Sequence, residues 1–223
     1  MSANTNKDTL NYRDVLQRLI YAVIDPLLRL LLRLRVTPNV VTVAGFVGNA
    51  VAAWLFVLAT PLPSGGAGGG YSLVTWGGVV ILLAGLLDMM DGRLARLGGL
   101  SSRFGALLDS SLDRYSELLT LSGITVLLLR SGDDWLWAAI VTFAAIIGSM
   151  MVSYVRARAE GLGISCKVGL MQRPERVVVT AVGAIATGLA ADLLWLAVGM
   201  AVIALLANLT AIWRIIHCYK EGE

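Results

Sequence analysis

The 223-residue chain has one histidine, His217, and two cysteines, Cys166 and Cys218. A single imidazole rules out a histidine-based metal site and any nucleophile and base pair built on histidine. The two thiols lack metal-ligand spacing and fall on the side argued below to be cytoplasmic, where thiols stay reduced, so neither is given a role. His217 reads as an interfacial residue near the C-terminal membrane edge. Charge is also scarce: Asp, Glu, Lys and Arg make up 15% of the residues against 57% hydrophobic. The mean hydropathy of +0.76 is far above that of a water-soluble domain with mixed polar and apolar faces.

What is present is long apolar runs. Six of them, 39–60, 74–90, 106–129, 134–155, 177–191 and 193–213, are candidates to cross a bilayer, the second and fifth only with help from their flanks. The expectation is an all-α integral membrane protein with six transmembrane helices and a juxtamembrane amphipathic helix at the N-terminus. Its parts would be a cytoplasmic N-terminal segment 1–38, a six-helix membrane domain 39–216 and a cytoplasmic tail 217–223, with no soluble domain appended. Residues 1–38 do not resemble a cleavable signal peptide.

Basic residues set the orientation. Lys7, Arg13, Arg18, Arg29, Arg33 and Arg35 precede the first run, Arg93, Arg96 and Arg103 lie in the second connector, and Arg156, Arg158, Lys167, Arg173 and Arg176 lie in or beside the fourth. Segments 61–73 and 190–193 have none. Both termini and the second and fourth connectors are therefore expected to face the cytoplasm, in the cell membrane. Before the first run, the segment through Asp25-Pro26 reads as amphipathic helix broken at that pair, Asp capping and Pro entering a new first turn. It is expected to lie on the inner leaflet with Arg29 and Arg33 near lipid phosphates, in preference to forming a seventh span. In the first run, Gly45, Asn49 and Ala53 recur every fourth residue, a face for close helix packing on which Asn49 could also line a polar cavity. Residues 61–71, PLPSGGAGGGY, read as an uncharged linker.

The feature that composition does not explain is LLDMMDGRLARLGGLSSRFGALLDSSLDR at 86–114. Asp88 with Asp91, and Asp109 with Asp113, are spaced so that each pair lies within about 60° around a helix axis. Between them a connector of about 92–105 carries Gly92, Gly98, Gly99 and Gly105, so the chain is expected to turn sharply there. Four converging carboxylates in an apolar setting repel one another and need positive charge. Oxygen-only ligands suit two divalent cations, Mg²⁺ or Mn²⁺, which about 3.5 to 4 Å apart would clamp a phosphoryl group and activate an attacking oxygen. With Arg96 able to neutralise phosphate charge, the expected substrate carries a pyrophosphate. Singly, each aspartate could be a cap, a surface charge or a partner for Arg93, Arg103 or Arg114.

The segment DMMDGRLARLGGLSSRFGALLDSSLD resembles, at each fixed position, the signature D-x2-D-G-x2-A-R-x8-G-x3-D-x3-D of the CDP-alcohol phosphotransferases. The basic N-terminal helix, the six runs and the TPNVVT segment resemble that family too. The resemblance implies that an alcohol hydroxyl attacks the lipid-side phosphorus of a CDP-lipid such as CDP-diacylglycerol and that CMP leaves. It implies that Asp88, Asp91, Asp109 and Asp113 hold two metal ions, that Asp113 takes the hydroxyl proton, and that Asn39, Thr42, Gly92, Arg96 and Ser102 contact the CDP-lipid. It also implies a homodimer among membrane lipids, with no nucleic-acid partner. Glu117 matches nothing in the signature and reads as a buried hydrogen-bonding residue.

The acceptor is read from the fourth connector, SYVRARAEGLG at 153–163 and MQRPERVVV at 171–179. Ser153, Arg156, Arg158, Arg173 and Arg176 at two helix ends suit an acceptor that carries its own phosphate. The segments resemble those of phosphatidylinositol phosphate synthases, which implies inositol 1-phosphate as acceptor, although Arg156 and Gln172 stand where lysine and glutamate are usual. Glycerol 3-phosphate, as in phosphatidylglycerophosphate synthases, is the nearest rival. Ordinary positive-inside topology explains the sign of these charges but not their pairing across two span ends. Two readings of other classes are a cation transporter, which should place acids near the midplane, and a non-catalytic lipid-binding scaffold, which should lack a metal aspartate.

Overall fold

The computed structural model describes residues 24–59 and 69–221. Among these residues all regular structure is helical: α1 (24–33), α2 (Pro38–Leu58), α3 (Gly69–Gly98), α4 (Arg103–Arg130), a 3₁₀ turn (Asp133–Trp135), α5 (Leu136–Gly161), α6 (Arg173–Ala190) and α7 (Leu194–Glu221). The expected features of residues 1–23 and 222–223, and most of the expected linker at 61–71, lie outside the described residues. Gly69, Gly70 and Tyr71 at the end of that segment are already helical.

Several helix ends follow from local chemistry. Pro38 opens α2, where its fixed φ suits the first turn and its missing N–H is not needed. Ser102 caps α4, its Oγ accepting from Gly105 N–H at 2.9 Å. Gly99 ends α3 in the left-handed region at φ 62°, and Leu100 N–H returns to the Ala95 carbonyl at 2.9 Å. Asp192 accepts from Leu194 N–H at 2.9 Å at the entry to α7.

Two sequence expectations are corrected here. The connector expected over 92–105 is shorter, because α3 runs on to Gly98 and only Gly99–Ser102 turns. Gly92 and Arg96 are therefore helical; the extra turns are held by Leu94, buried against α1, and by Arg93. Nor does Asp25 cap a new helix. Asp25 is itself helical and its carboxylate accepts from Arg93 Nε at 3.0 Å and Nη2 at 2.9 Å, while the expected break before it falls outside the described residues. A bidentate guanidinium outcompetes a cap made to one backbone N–H.

α2 packs on α3 and α4, α3 on α6, α5 on α4 and α7, and α6 on α7. The main core contains Phe56, Ile81, Ile124, Leu127, Leu196, Met200 and Ile203. A smaller core of Ile24, Leu28, Val41, Met90 and Leu94 joins α1 to the ends of α2 and α3. The Gly45, Asn49, Ala53 face packs as small-residue faces do: a Cβ on Gly123 of α4 would lie 2.6 Å from the Ala53 carbonyl oxygen, so only glycine admits this approach.

Four helices, α2, α3, the 3₁₀ turn with α5, and α7, are long and apolar enough to cross a membrane. α4 and α6 fall short of that composition: Asp109, Asp113, Arg114 and Glu117 occupy the first half of α4, and α6 has 18 residues that begin with Arg173, Glu175 and Arg176. Trp54, Phe143, Ile140, Leu205 and Ile212 are exposed on the outside of the bundle, where acyl chains rather than water would meet them. The chain is a multi-pass membrane protein.

Candidate active site

α3 and α4 leave the bundle at the same end and are joined by the four-residue turn Gly99–Ser102, so their adjoining turns face each other. Spacing of three on α3 and four on α4 then turns all four aspartates toward the gap. One carboxylate oxygen each from Asp88, Asp91 and Asp109 lie within 4.8 Å of one another. Asp91 is 4% exposed. Asp91 Oδ2 and Asp109 Oδ1 are buried with no hydrogen-bond donor. Buried carboxylate oxygens without donors at this spacing are strongly unfavourable alone, and a hard cation supplies the missing charge and ligand contact. On the donor set, the residues fit a divalent ion.

Asp113, one turn along α4 from Asp109, is held differently. Arg173, the first residue of α6, places Nη2 2.8 Å from Asp113 Oδ1 and Nη1 2.7 Å from Asp88 Oδ2. One guanidinium thus bridges a carboxylate of α3 and a carboxylate of α4. Arg114 Nη1 lies 3.9 Å from the other Asp113 oxygen.

Asn39, Thr42, Gly92, Arg96 and Ser102 line one cavity of about 190 Å³, which also reaches Asp91 and Asp109. They come from the starts of α2 and α4 and the last turns of α3. Gly105 permits the assembly: a Cβ there would come within 3.0 Å of Ser102 Oγ and 3.2 Å of Asn39 Oδ1. A second cavity, about 570 Å³, is lined by Asp88, Asp91, Asp109, Glu117, Arg173 and Arg176 at one end and by Ile81, Leu82 and Val177 along its length. Asn49 borders it and donates to the Gly45 carbonyl at 3.0 Å, so this residue belongs both to the packing face and to a cavity wall. A polar head with an apolar extension is the shape an amphiphile needs.

The residues expected to hold an acceptor phosphate are deployed unequally. Arg173 is on the aspartates. Arg176, 2% exposed, donates to both oxygens of Glu117 at 2.5 and 2.9 Å and to the Met171 carbonyl at 3.0 Å. Arg156 pairs with Glu160 on the same helix at 2.9 Å, Arg158 is exposed and Ser153 is half-buried. The partner of Glu117 could not be read from sequence, because 59 positions separate it from Arg176. Sequence reasoning also passed over Arg214, which is buried and donates to Val168 O at 2.8 Å and Val152 O at 2.6 Å. These contacts tie α7 to the body of α5, through Val152, and to the middle of the connector that follows it, through Val168, and the sequence signal was an arginine inside the apolar stretch LTAIWRIIH. His217 Nε2 is 3.2 Å from the Ser165 carbonyl oxygen. Cys166 and Cys218 are free thiols, and burial pushes the Cys166 thiol above its ordinary range.

An acidic cluster shared by two helices, beside one cavity lined by the signature residues and another with a long apolar wall, defines a membrane enzyme acting on an amphiphile with a charged head. The chain belongs to the CDP-alcohol phosphatidyltransferase family, whose model matches residues 35–213. It is 35% identical over 175 residues to a phosphatidylinositol phosphate synthase of Mycobacteroides abscessus, covering 74% of this chain and 70% of that one. An archaetidylinositol phosphate synthase of Methanothermobacter thermautotrophicus is 32% identical over 217 residues, 97% of each chain. Among solved structures, the Mycobacterium tuberculosis phosphatidylinositol phosphate synthase with CDP-DAG bound superposes with a TM-score of 0.75 at 29% identity, covering 87% of this chain and 92% of that one. The same enzyme in complex with manganese and citrate gives 0.75 at 30% identity, covering 87% and 88%.

Proposed function

We propose that this chain transfers a phosphatidyl group from CDP-diacylglycerol, or a similar CDP-lipid, to a hydroxyl of inositol 1-phosphate and releases CMP. The observation that carries the reading is the convergence of Asp88, Asp91 and Asp109, with unpartnered buried oxygens, beside a cavity lined by Asn39, Thr42, Gly92, Arg96 and Ser102. The named activities of the relatives and the CDP-DAG held by the solved structure support the same substrate pair.

In this reading Asn39, Thr42 and Ser102 orient the nucleotide end of the donor, with Gly92 leaving its side of α3 open and Arg96 meeting phosphate charge. Asp88, Asp91, Asp109 and Asp113 hold two divalent ions, Mg²⁺ or Mn²⁺, whose chemistry when bound is to neutralise the pyrophosphate and the departing CMP. Asp113 accepts the acceptor's hydroxyl proton as that oxygen bonds to the lipid-side phosphorus and the bond to CMP breaks. Arg173, with Ser153, Arg156 and Arg158 around the adjoining connector, receives the acceptor's phosphate, while Arg176, clamped on Glu117, anchors the start of α6 beside them.

The membrane arrangement is part of the proposal. α4 lies against α2 and α5, and α6 against α3 and α7, so both are flanked by helices that span by composition. We read residues 39–216 as one six-span domain, with the aspartates at its cytoplasmic face.

The test is a transfer assay with purified protein, Mg²⁺, CDP-diacylglycerol or its ether-linked counterpart, and inositol 1-phosphate or glycerol 3-phosphate. Lipid products would be weighed by mass spectrometry. The expected result is CMP together with a phosphatidylinositol phosphate, abolished by a chelator. Product from glycerol 3-phosphate alone would refute the acceptor assignment, and chelator-insensitive product would refute the metal site.

A further inference from the structure

We propose that Arg173 is a built-in counter-ion that closes the Asp88–Asp113 pair, so that the site takes up its two divalent ions unequally and the second enters only as Arg173 swings away. The proposal rests on the two-ion reading of the site given above.

The four aspartates fall into two groups. Asp88 Oδ2 and Asp113 Oδ1 are each within 2.8 Å of a nitrogen of the same guanidinium. Asp91 Oδ2 and Asp109 Oδ1 are buried and have no donor. An ion held by one oxygen each of Asp88, Asp91 and Asp109 finds those atoms already within 4.8 Å of one another. A second ion that would draw on Asp88 and Asp113 would have to compete with Arg173, which holds an oxygen of each. Since a guanidinium does not shed its proton, Arg173 can yield only by moving as a cation.

The surroundings allow that movement and direct it. Arg173 is the first residue of α6 and lines the cavity of about 570 Å³, so its side chain has space beside the carboxylates. The backbone beneath it is fixed, because Arg176 one turn on is clamped by both oxygens of Glu117 and by the Met171 carbonyl. The step is therefore a side-chain swing. The displaced cation needs a new anion, and a phosphate-bearing acceptor entering the same cavity supplies one. Arg114, 3.9 Å from the outer Asp113 oxygen, stays with Asp113 after Arg173 leaves. The same residue thus keeps the unloaded carboxylates compensated and links completion of the ion pair to arrival of the acceptor.

The experiment is a Mn²⁺ titration of the purified, substrate-free protein, following the electron paramagnetic resonance signal of free Mn²⁺. The parent is expected to bind one ion tightly and a second more weakly. In Arg173→Met the weaker ion should tighten by roughly tenfold, the size of an ordinary coupling between sites, and by more than the tighter one, whose Asp91 and Asp109 ligands make no bond to Arg173. Arg173→Lys, which keeps the charge but replaces the two-nitrogen fork with a single nitrogen on a shorter side chain, should shift the weaker ion in the same direction by less, and it serves if the methionine variant folds poorly. Two ions with affinities unmoved in both variants would overturn the proposal and leave the two-ion reading standing. One ion per chain in the parent and in both variants would overturn the two-ion reading itself, and the proposal with it.

Discussion

Along the first half of α4, Asp109, Asp113 and Glu117 recur one turn apart and meet Arg173 or the other aspartates, or in the case of Glu117, Arg176. Along its second half the same helix buries Leu121, Ile124, Leu127 and Leu128, and Gly123 lets α2 approach closely. The first half is half-buried and borders the cavities while the second half is packed inside the bundle, and the two are stabilised in different ways. The apolar half loses stability in proportion to the buried atoms removed, whereas the charged half contains groups tolerable only while each keeps its partner.

That difference predicts graded consequences. Asp109→Asn should lower the transfer rate by more than about a hundredfold, beyond the loss typical of residues that merely support metal ligands, with folding intact by thermal unfolding in detergent. Glu117→Leu strands the Arg176 guanidinium, 2% exposed, and should destabilise the fold by about 3 to 5 kcal/mol. Adding Arg176→Met should recover most of that loss, and if it did not, the pair would owe its role to something other than mutual neutralisation. In the apolar half, Gly123→Leu must push Ala53 aside, at a cost of about 1 to 3 kcal/mol in the same unfolding measurement.

The smallest effect belongs to Asp25, whose pair with Arg93 is a quarter exposed on each side. Hydrogen bonds from Arg93 hold the Asp25 carboxyl below its ordinary range. A depressed folded-state value means that its contribution is complete above the unfolded value near 3.8 and fades as pH falls through the lower folded value. Asp25→Asn should accordingly shift thermal unfolding slightly at neutral pH and low salt, less in high salt, and not at all once the pH is below both values.

Much of this could be read directly from the chain because the decisive information is local. The intervals between Asp88, Asp91, Asp109 and Asp113 fix which way those side chains point once the segments are helical. Apolar runs identified the bundle helices, although α3 outran its apolar run, since Leu94 and Arg93 found partners on α1. Asp25 misled for the same reason: its carboxylate meets a guanidinium 68 positions away.

The sequence alone determined the helical class, the membrane setting, the family and the acidic constellation, because periodicity, hydropathy and short spacing express themselves within a turn or two of helix. Only the tertiary structure decided which cation each carboxylate meets. Arg173 reaches Asp88 across 85 positions and Arg176 reaches Glu117 across 59, and both arginines start the same helix. Residues three apart on one helix turn look equivalent in a sequence; which of them joins the reacting groups and which becomes a fixed anchor depends on the helices packed against each side chain.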